Sequence, residues 1–108
     1  MPRWAAKVDG NQAEIVDALE KFGWTVISLA RLGGGVPDLL IAKHGRTALV
    51  EVKTPTGTLQ EAQRCFLTVW PGEWAILTSL EDVERFNAEV AQSLPDRLTL
   101  KGNQTLLR

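Results

Sequence analysis

Charged side chains interrupt two adjacent apolar stretches of the chain, and this feature limits the possible folds more than any other. Residues 36–43 and 46–53 are rich in Leu, Ile and Val, yet the first carries Asp38 and the second carries Glu51 and Lys53. Their composition is typical of β-strands. Burying an unpaired carboxylate costs several kcal/mol or forces it to take up a proton, so other interactions must compensate. The two stretches therefore predict a pair of strands that carries a charged site.

The connection between these strands predicts which residues face each other. Residues 44–45 form a link short enough for a hairpin, which sets Lys43 opposite Arg46 and Asp38 opposite Glu51. Directly opposed side chains on antiparallel strands have Cβ atoms about 4.5–5.5 Å apart, and like charges there are destabilising. A divalent cation between the two carboxylates would relieve this repulsion. Oxygen donors alone favour a hard ion, Mg²⁺ or Mn²⁺, over zinc.

The alternation of side chains along a strand adds a lysine to this pair. Glu51 and Lys53 share one face of the hairpin with Asp38, whereas Val50 and Val52 point to the other face and the core. A protonated lysine cannot bind a metal ion. It can position or activate a water, or offset the negative charge of a transition state, as phosphodiester hydrolysis requires.

The remaining patterns predict three helices and further strands around the hairpin. The first helix begins at the N-cap Asn11 and ends at Gly23, and the second begins at Thr58 with Glu61 completing a capping box. The other predicted elements are strands at 24–29 and 74–78, a helix at about 81–92 and a short edge strand at 98–100. The order is helix, three strands, helix, strand, helix.

These motifs resemble a known group of nucleases. Pro37-Asp38 followed by Glu51-Val52-Lys53 resembles the PD-(D/E)XK nuclease superfamily, and the element order agrees with the core of that superfamily. Residues 35–40, 50–53 and 57–59 together with Gln63 resemble the virus-type replication-repair nuclease (VRR-NUC) domains, over about residues 11–90. The resemblance implies an α/β fold with a restriction-endonuclease-like core (αβββαβ), in which helices flank a central mixed β-sheet.

The resemblance also implies a function and assigns roles to residues. Asp38, Glu51 and the backbone carbonyl of Val52 would bind the metal ion, and Lys53 would be the catalytic lysine. Such enzymes hydrolyse DNA with Mg²⁺, and small phage and bacterial forms are similar to Holliday-junction resolvases, which act as dimers on branched DNA. Two alternatives stay open: a nuclease that acts on linear ends or single strands, and an inactive DNA-binding relative.

Three further residues are candidates for the site. Many relatives carry a glutamate on the inner face of the first helix, where this chain offers Gln12 and Glu14. The expected position lies nearer Gln12, which projects to the apolar side of the helix, whereas Glu14 lies at its margin and suits a capping role. Gln63 lies beside Leu59 and Phe66 on the second helix and is predicted at the edge of the site.

Size and composition bound the remaining expectations. A length of 108 residues suits one domain, with a core at about 11–92 and mobile ends. A single cysteine and the lack of a signal peptide or membrane-spanning stretch predict a cytoplasmic protein, in a bacterial or phage-infected cell. With 12 basic against 13 acidic residues, one domain offers DNA little positive surface. A homodimer is therefore expected, which pairs through the second helix and its flanks with Trp70 and Trp74, or alternatively through the third helix.

Overall fold

The computed structural model of the protein describes residues 10–93. Within this range the elements are α1 (Gln12–Lys21), β1 (Thr25–Ser28), β2 (Leu39–Lys43), β3 (Arg46–Val52), α2 (Glu61–Val69), β4 (Glu73–Leu77) and α3 (Leu80–Ser93). Each predicted helix and strand between residues 11 and 93 is present, with bounds that differ by a few residues. The predicted edge strand at 98–100 and the ends expected to be mobile lie outside the described residues.

The four strands form one mixed sheet in the order β1-β2-β3-β4. The first three strands pair antiparallel, and β4 pairs parallel to β3. A parallel pair needs a long crossover connection, which here contains α2. The α/β fold and the mixed sheet flanked by helices are confirmed, and the architecture is consistent with a restriction-endonuclease-like core.

The hydrophobic core lies between the sheet and the helices α1 and α3. Its members are the most buried apolar side chains of these elements: Ile15, Leu19, Trp24, Leu39, Ile41, Ala48, Val50, Val52, Leu77, Val83 and Val90. Because side chains alternate along β3, burying Val50 and Val52 in this core directs Glu51 to the opposite face. That face meets α2, whose Gln63 contacts Glu51. No helix within residues 10–93 is long and apolar enough to cross a membrane.

The hairpin has the predicted register. Lys43 pairs with Arg46, and the pairing continues to Leu39 opposite Val50. The two turn residues, His44 and Gly45, have φ values of 52° and 81°, which match the left-handed backbone of the two-residue turns that suit twisted hairpins. One step beyond the last pair, this register sets Asp38 beside Glu51.

The starts of two helices differ from the simplest sequence pattern. Asn11 is the N-cap of α1, but its side-chain amide donates to the carbonyl oxygens of Lys53 (3.1 Å) and Thr78 (3.0 Å) instead of capping the helix. These bonds anchor α1 to the ends of β3 and β4. The predicted end of the helix is confirmed, since Gly23 has a φ of 97°.

The prediction that Thr58 and Glu61 cap the second helix is wrong. Gln60 is the N-cap of α2, and its backbone N–H donates to Oε1 of Gln63 at 2.8 Å. The two pairs have the same spacing, but Thr is a preferred N-cap residue and Gln is not, so the local pattern favours the earlier start. A tertiary contact favours the later start, because the Gln63 side chain also bonds Glu51 on β3.

Candidate active site

The predicted triad lies in one cleft. Asp38 precedes β2, Glu51 lies near the end of β3, and Lys53 follows that strand. The cleft has a volume of about 380 Å³. Its lining residues are Gly33, Gly34, Gly35, Val36, Asp38, Glu51, Lys53, Gln60, Ala62 and Gln63. The fold thus brings two acids and a lysine together on one side of the sheet.

The backbone of the neighbouring strand holds the Asp38 side chain in place. Its Oδ2 accepts a hydrogen bond of 2.8 Å from the N–H of Val52. Val52 itself is fully buried in the core, so its N–H is a fixed donor. This bond extends the β2–β3 pairing through a side chain and orients the Asp38 carboxylate beside Glu51.

Glu51 is the most buried acid of the site, with 2% of its surface exposed. Its Oε2 accepts a 2.8 Å hydrogen bond from Nε2 of Gln63 and lies 3.6 Å from Nζ of Lys53. Its Oε1 is buried and has no hydrogen-bond partner. One oxygen of the carboxylate therefore interacts with protein side chains, and the other can accept a bond from a ligand.

The surroundings of Glu51 favour its protonated form. Burial, and after it the negative charge of Asp38, raises the pKa of Glu51 to about 7, whereas Lys53 acts in the opposite direction. The salt bridge with Lys53 thus does not offset desolvation and repulsion. A cation next to the free oxygen of Glu51 would stabilise the ionised carboxylate.

The residues present fit a hard divalent cation, and Asp38 and Glu51 supply its oxygen donors. Within residues 10–93, no cluster of three or more His, Cys, Asp or Glu side chains is arranged to hold a metal ion. A cation here would consequently need the two carboxylates, a backbone carbonyl and water to complete its ligands.

The glycine-rich loop forms one wall of the cleft at very short range from α2. Gly35 has a φ of 88°, and a Cβ atom there would clash with the backbone carbonyl of Ala62. Only glycine permits this backbone conformation together with such close packing. The loop and the first turn of α2 are therefore held together beside the acidic pair.

The two candidates on the first helix occupy different environments, and neither is among the residues that line the cleft. Gln12 is 8% exposed, and its Oε1 is buried without a hydrogen-bond partner. Glu14 is exposed and lines a separate groove between α1 and α3, together with Leu80 and Glu84. The structure thus separates a buried polar side chain from a surface carboxylate.

Sequence reasoning missed the role of Asn11 and the two-sided bonding of Gln63. Asn11 joins residues 42 and 67 positions away, which no local pattern signals. A polar residue at this position correctly predicted the start of the helix. The same pattern gave no indication of the tertiary contacts of Asn11. For Gln63, a glutamine on the apolar side of a helix was a usable signal, since a buried amide requires partners.

The fold and the family comparison together define the class of protein. The mixed sheet flanked by helices is consistent with a restriction-endonuclease-like core, and two acids and a lysine lie in one cleft on this sheet. The family model of the VRR-NUC domain matches residues 1–93, and the chain belongs to this family of nuclease domains. A search of curated proteins and a search of solved structures each returned no match.

Proposed function

We propose that this protein hydrolyses DNA phosphodiesters with Mg²⁺ or Mn²⁺, at the cleft that contains Asp38, Glu51 and Lys53. One observation carries the proposal. Two carboxylates lie side by side in a cleft, and one of them, Glu51, has a buried oxygen without any hydrogen-bond partner. Membership of the VRR-NUC family supports nuclease chemistry at this site.

Asp38, Glu51 and the backbone carbonyl of Val52 would hold the cation. A bound divalent cation supplies Lewis-acid activation of the phosphodiester and offsets its negative charge. The protein contributes rigidity, because the Val52 N–H fixes Asp38 and the Gln63 amide fixes Glu51. Fixed ligands need little rearrangement when the cation enters.

Lys53 would act on the reacting groups and not on the cation. Its side chain is 13% exposed and its ammonium group lies in the cleft, 3.6 Å from Oε2 of Glu51. From there it can donate a hydrogen bond to the attacking water or to a phosphate oxygen. Donors aimed at developing negative charge typically contribute a factor of about 10²–10³ in rate.

On the first helix, Gln12 is the better candidate for a supporting role. Its carbonyl oxygen is buried and has no hydrogen-bond partner, whereas Glu14 faces solvent in another groove. We expect Gln12→Ala to lower the rate of DNA cleavage more than Glu14→Ala does. Equal rates for both variants and the parent protein would assign both residues to the helix start alone.

The proposed substrate is branched DNA such as a Holliday junction. The decisive experiment incubates the protein and Mg²⁺ with four substrates: a four-way junction, a flap, a nicked duplex and a single strand. Preferred cleavage of the junction or flap supports the proposal. Preference for single strands or linear ends would favour the first alternative, and binding without metal-stimulated cleavage would favour an inactive relative.

A homodimer would supply the surface that one small domain lacks. Val69, Trp70 and Trp74 are 75%, 39% and 43% exposed, and Trp70 stacks on Phe66. They lie at the end of α2 and on β4, the outer strand of the sheet among residues 10–93. Large exposed apolar side chains beside the outer strand of a sheet favour pairing. Light scattering at micromolar concentration should give twice the monomer mass, and Trp74→Glu should reduce it.

A further inference from the structure

Both the oxygen and the nitrogen of the Gln63 side-chain amide form hydrogen bonds. Its Oε1 accepts the N–H of Gln60 at 2.8 Å, and its Nε2 donates to Oε2 of Glu51 at 2.8 Å. The partners determine the orientation of the amide, because a backbone N–H requires an oxygen and a carboxylate requires a donor. Gln63 therefore connects the first turn of α2 to the most buried acid of the cleft.

This bond fixes the orientation of the Glu51 carboxylate. Gln63 and Lys53 both engage Oε2 of the carboxylate, while Oε1 is buried and unpaired. The terminal torsion of a glutamate side chain has a broad energy minimum, so without such a donor the plane of the carboxylate would be poorly fixed. With the donor in place, the plane of the carboxylate is fixed and Oε1 keeps one position.

We infer that Gln63 is a positioning residue, which orients Glu51 for cation binding without contacting the cation itself. This inference rests on the proposed function of the cleft. Side chains that orient metal ligands typically contribute a factor of about 10–100 to metal affinity. The inference also explains why the first turn of α2 lies so close to the glycine-rich loop, since this packing keeps the amide within reach of Glu51.

The experiment is isothermal titration calorimetry of Mn²⁺ into the full chain without DNA. Gln63→Met keeps a similar length but removes the donor and the acceptor. Cys65→Met introduces the same side chain at an exposed position of the same helix and serves as the matched control. We expect Gln63→Met to weaken Mn²⁺ binding about 10-fold or more. Cys65→Met should bind as the parent does, and Asp38→Asn should lose binding.

The outcomes separate this inference from the function it rests on. If the parent protein binds Mn²⁺ and Gln63→Met binds it equally well, the positioning role is overturned and the cation site stands. If the parent protein does not bind Mn²⁺, both are overturned. Circular dichroism checks that each variant is folded.

A second measurement needs no variant. In ¹⁵N-labelled parent protein, the side-chain amide resonances of Gln63 should shift on addition of Mg²⁺, because their acceptor Glu51 gains a new partner. The side-chain amide of Asn87 on α3, which does not line the cleft and bonds Trp24 and Lys43, serves as the internal reference. Unchanged Gln63 resonances at saturating Mg²⁺ would contradict the inference.

Discussion

Replacement of Glu51 by glutamine should stabilise the metal-free protein at neutral and alkaline pH. Glu51 is buried beside Asp38, and these surroundings raise its pKa from 4.5 to about 7. Since the folded state holds this proton more tightly than the unfolded state, the free energy of unfolding must fall as the pH rises through this interval. The substituted glutamine carries no charge, so the variant escapes this loss.

The size of the effect follows from the interval between pH 4.5 and about 7, which corresponds to about 3 kcal/mol at 1.36 kcal/mol per pH unit. The variant also removes the anionic partner of the largely buried Lys53, which reduces the gain. We therefore expect Glu51→Gln to raise the free energy of unfolding by about 1–3 kcal/mol at pH 8 and by less than about 1 kcal/mol at pH 5.

Urea unfolding in EDTA between pH 5 and pH 8 measures this difference. Glu20→Gln removes an exposed carboxylate from α1 and should show no comparable rise with pH. Mg²⁺ should stabilise the parent protein and leave Glu51→Gln nearly unchanged. A variant that is less stable than the parent at pH 8 without metal would refute the view that Glu51 is an uncompensated buried charge.

Three further substitutions test other parts of the structure. Lys53→Ala should lower the cleavage rate about 100-fold or more while Mn²⁺ affinity in calorimetry stays close to the parent value; an equal loss of affinity would make Lys53 part of the cation site. Asn11→Ala should cost about 1–3 kcal/mol in urea unfolding, because two backbone carbonyls lose their donor; a change near zero would show that water replaces it. Hydrogen bonds from Thr78 hold the pKa of Asp82 below its usual range. Asp82→Ala should therefore cost about 1–2 kcal/mol at pH 7, and this difference should shrink as the pH falls through the lowered pKa; a pH-independent difference would contradict this reasoning.

The sequence was sufficient to predict the hairpin and its charged pair, because both depend on local rules. A two-residue turn fixes the register, and the alternation of side chains then decides which residues share a face. The predicted convergence of Asp38, Glu51 and Lys53 in one place follows from these two rules alone.

Contacts between distant residues set the parts that local rules could not predict. Helix α2 begins after Gln60 and not after Thr58, although the local capping pattern favours Thr58, because the bond between Gln63 and Glu51 favours the later start. The anchoring of α1 by Asn11 depends on where β3 and β4 end in space. Neither contact has a signal in the spacing of residues along the chain.

The most direct test of the proposed site is the rate of DNA cleavage as a function of Mg²⁺ concentration, for the parent protein and for Asp38→Asn. This substitution keeps the size of the side chain and an oxygen acceptor for the Val52 N–H, but it removes the charge that faces Glu51. The proposed site predicts cleavage by the parent that saturates with Mg²⁺ and is lost in EDTA, and a rate for Asp38→Asn that is lower by about 100-fold or more. Cleavage by Asp38→Asn at the parent rate, or cleavage by the parent protein in EDTA, would contradict it.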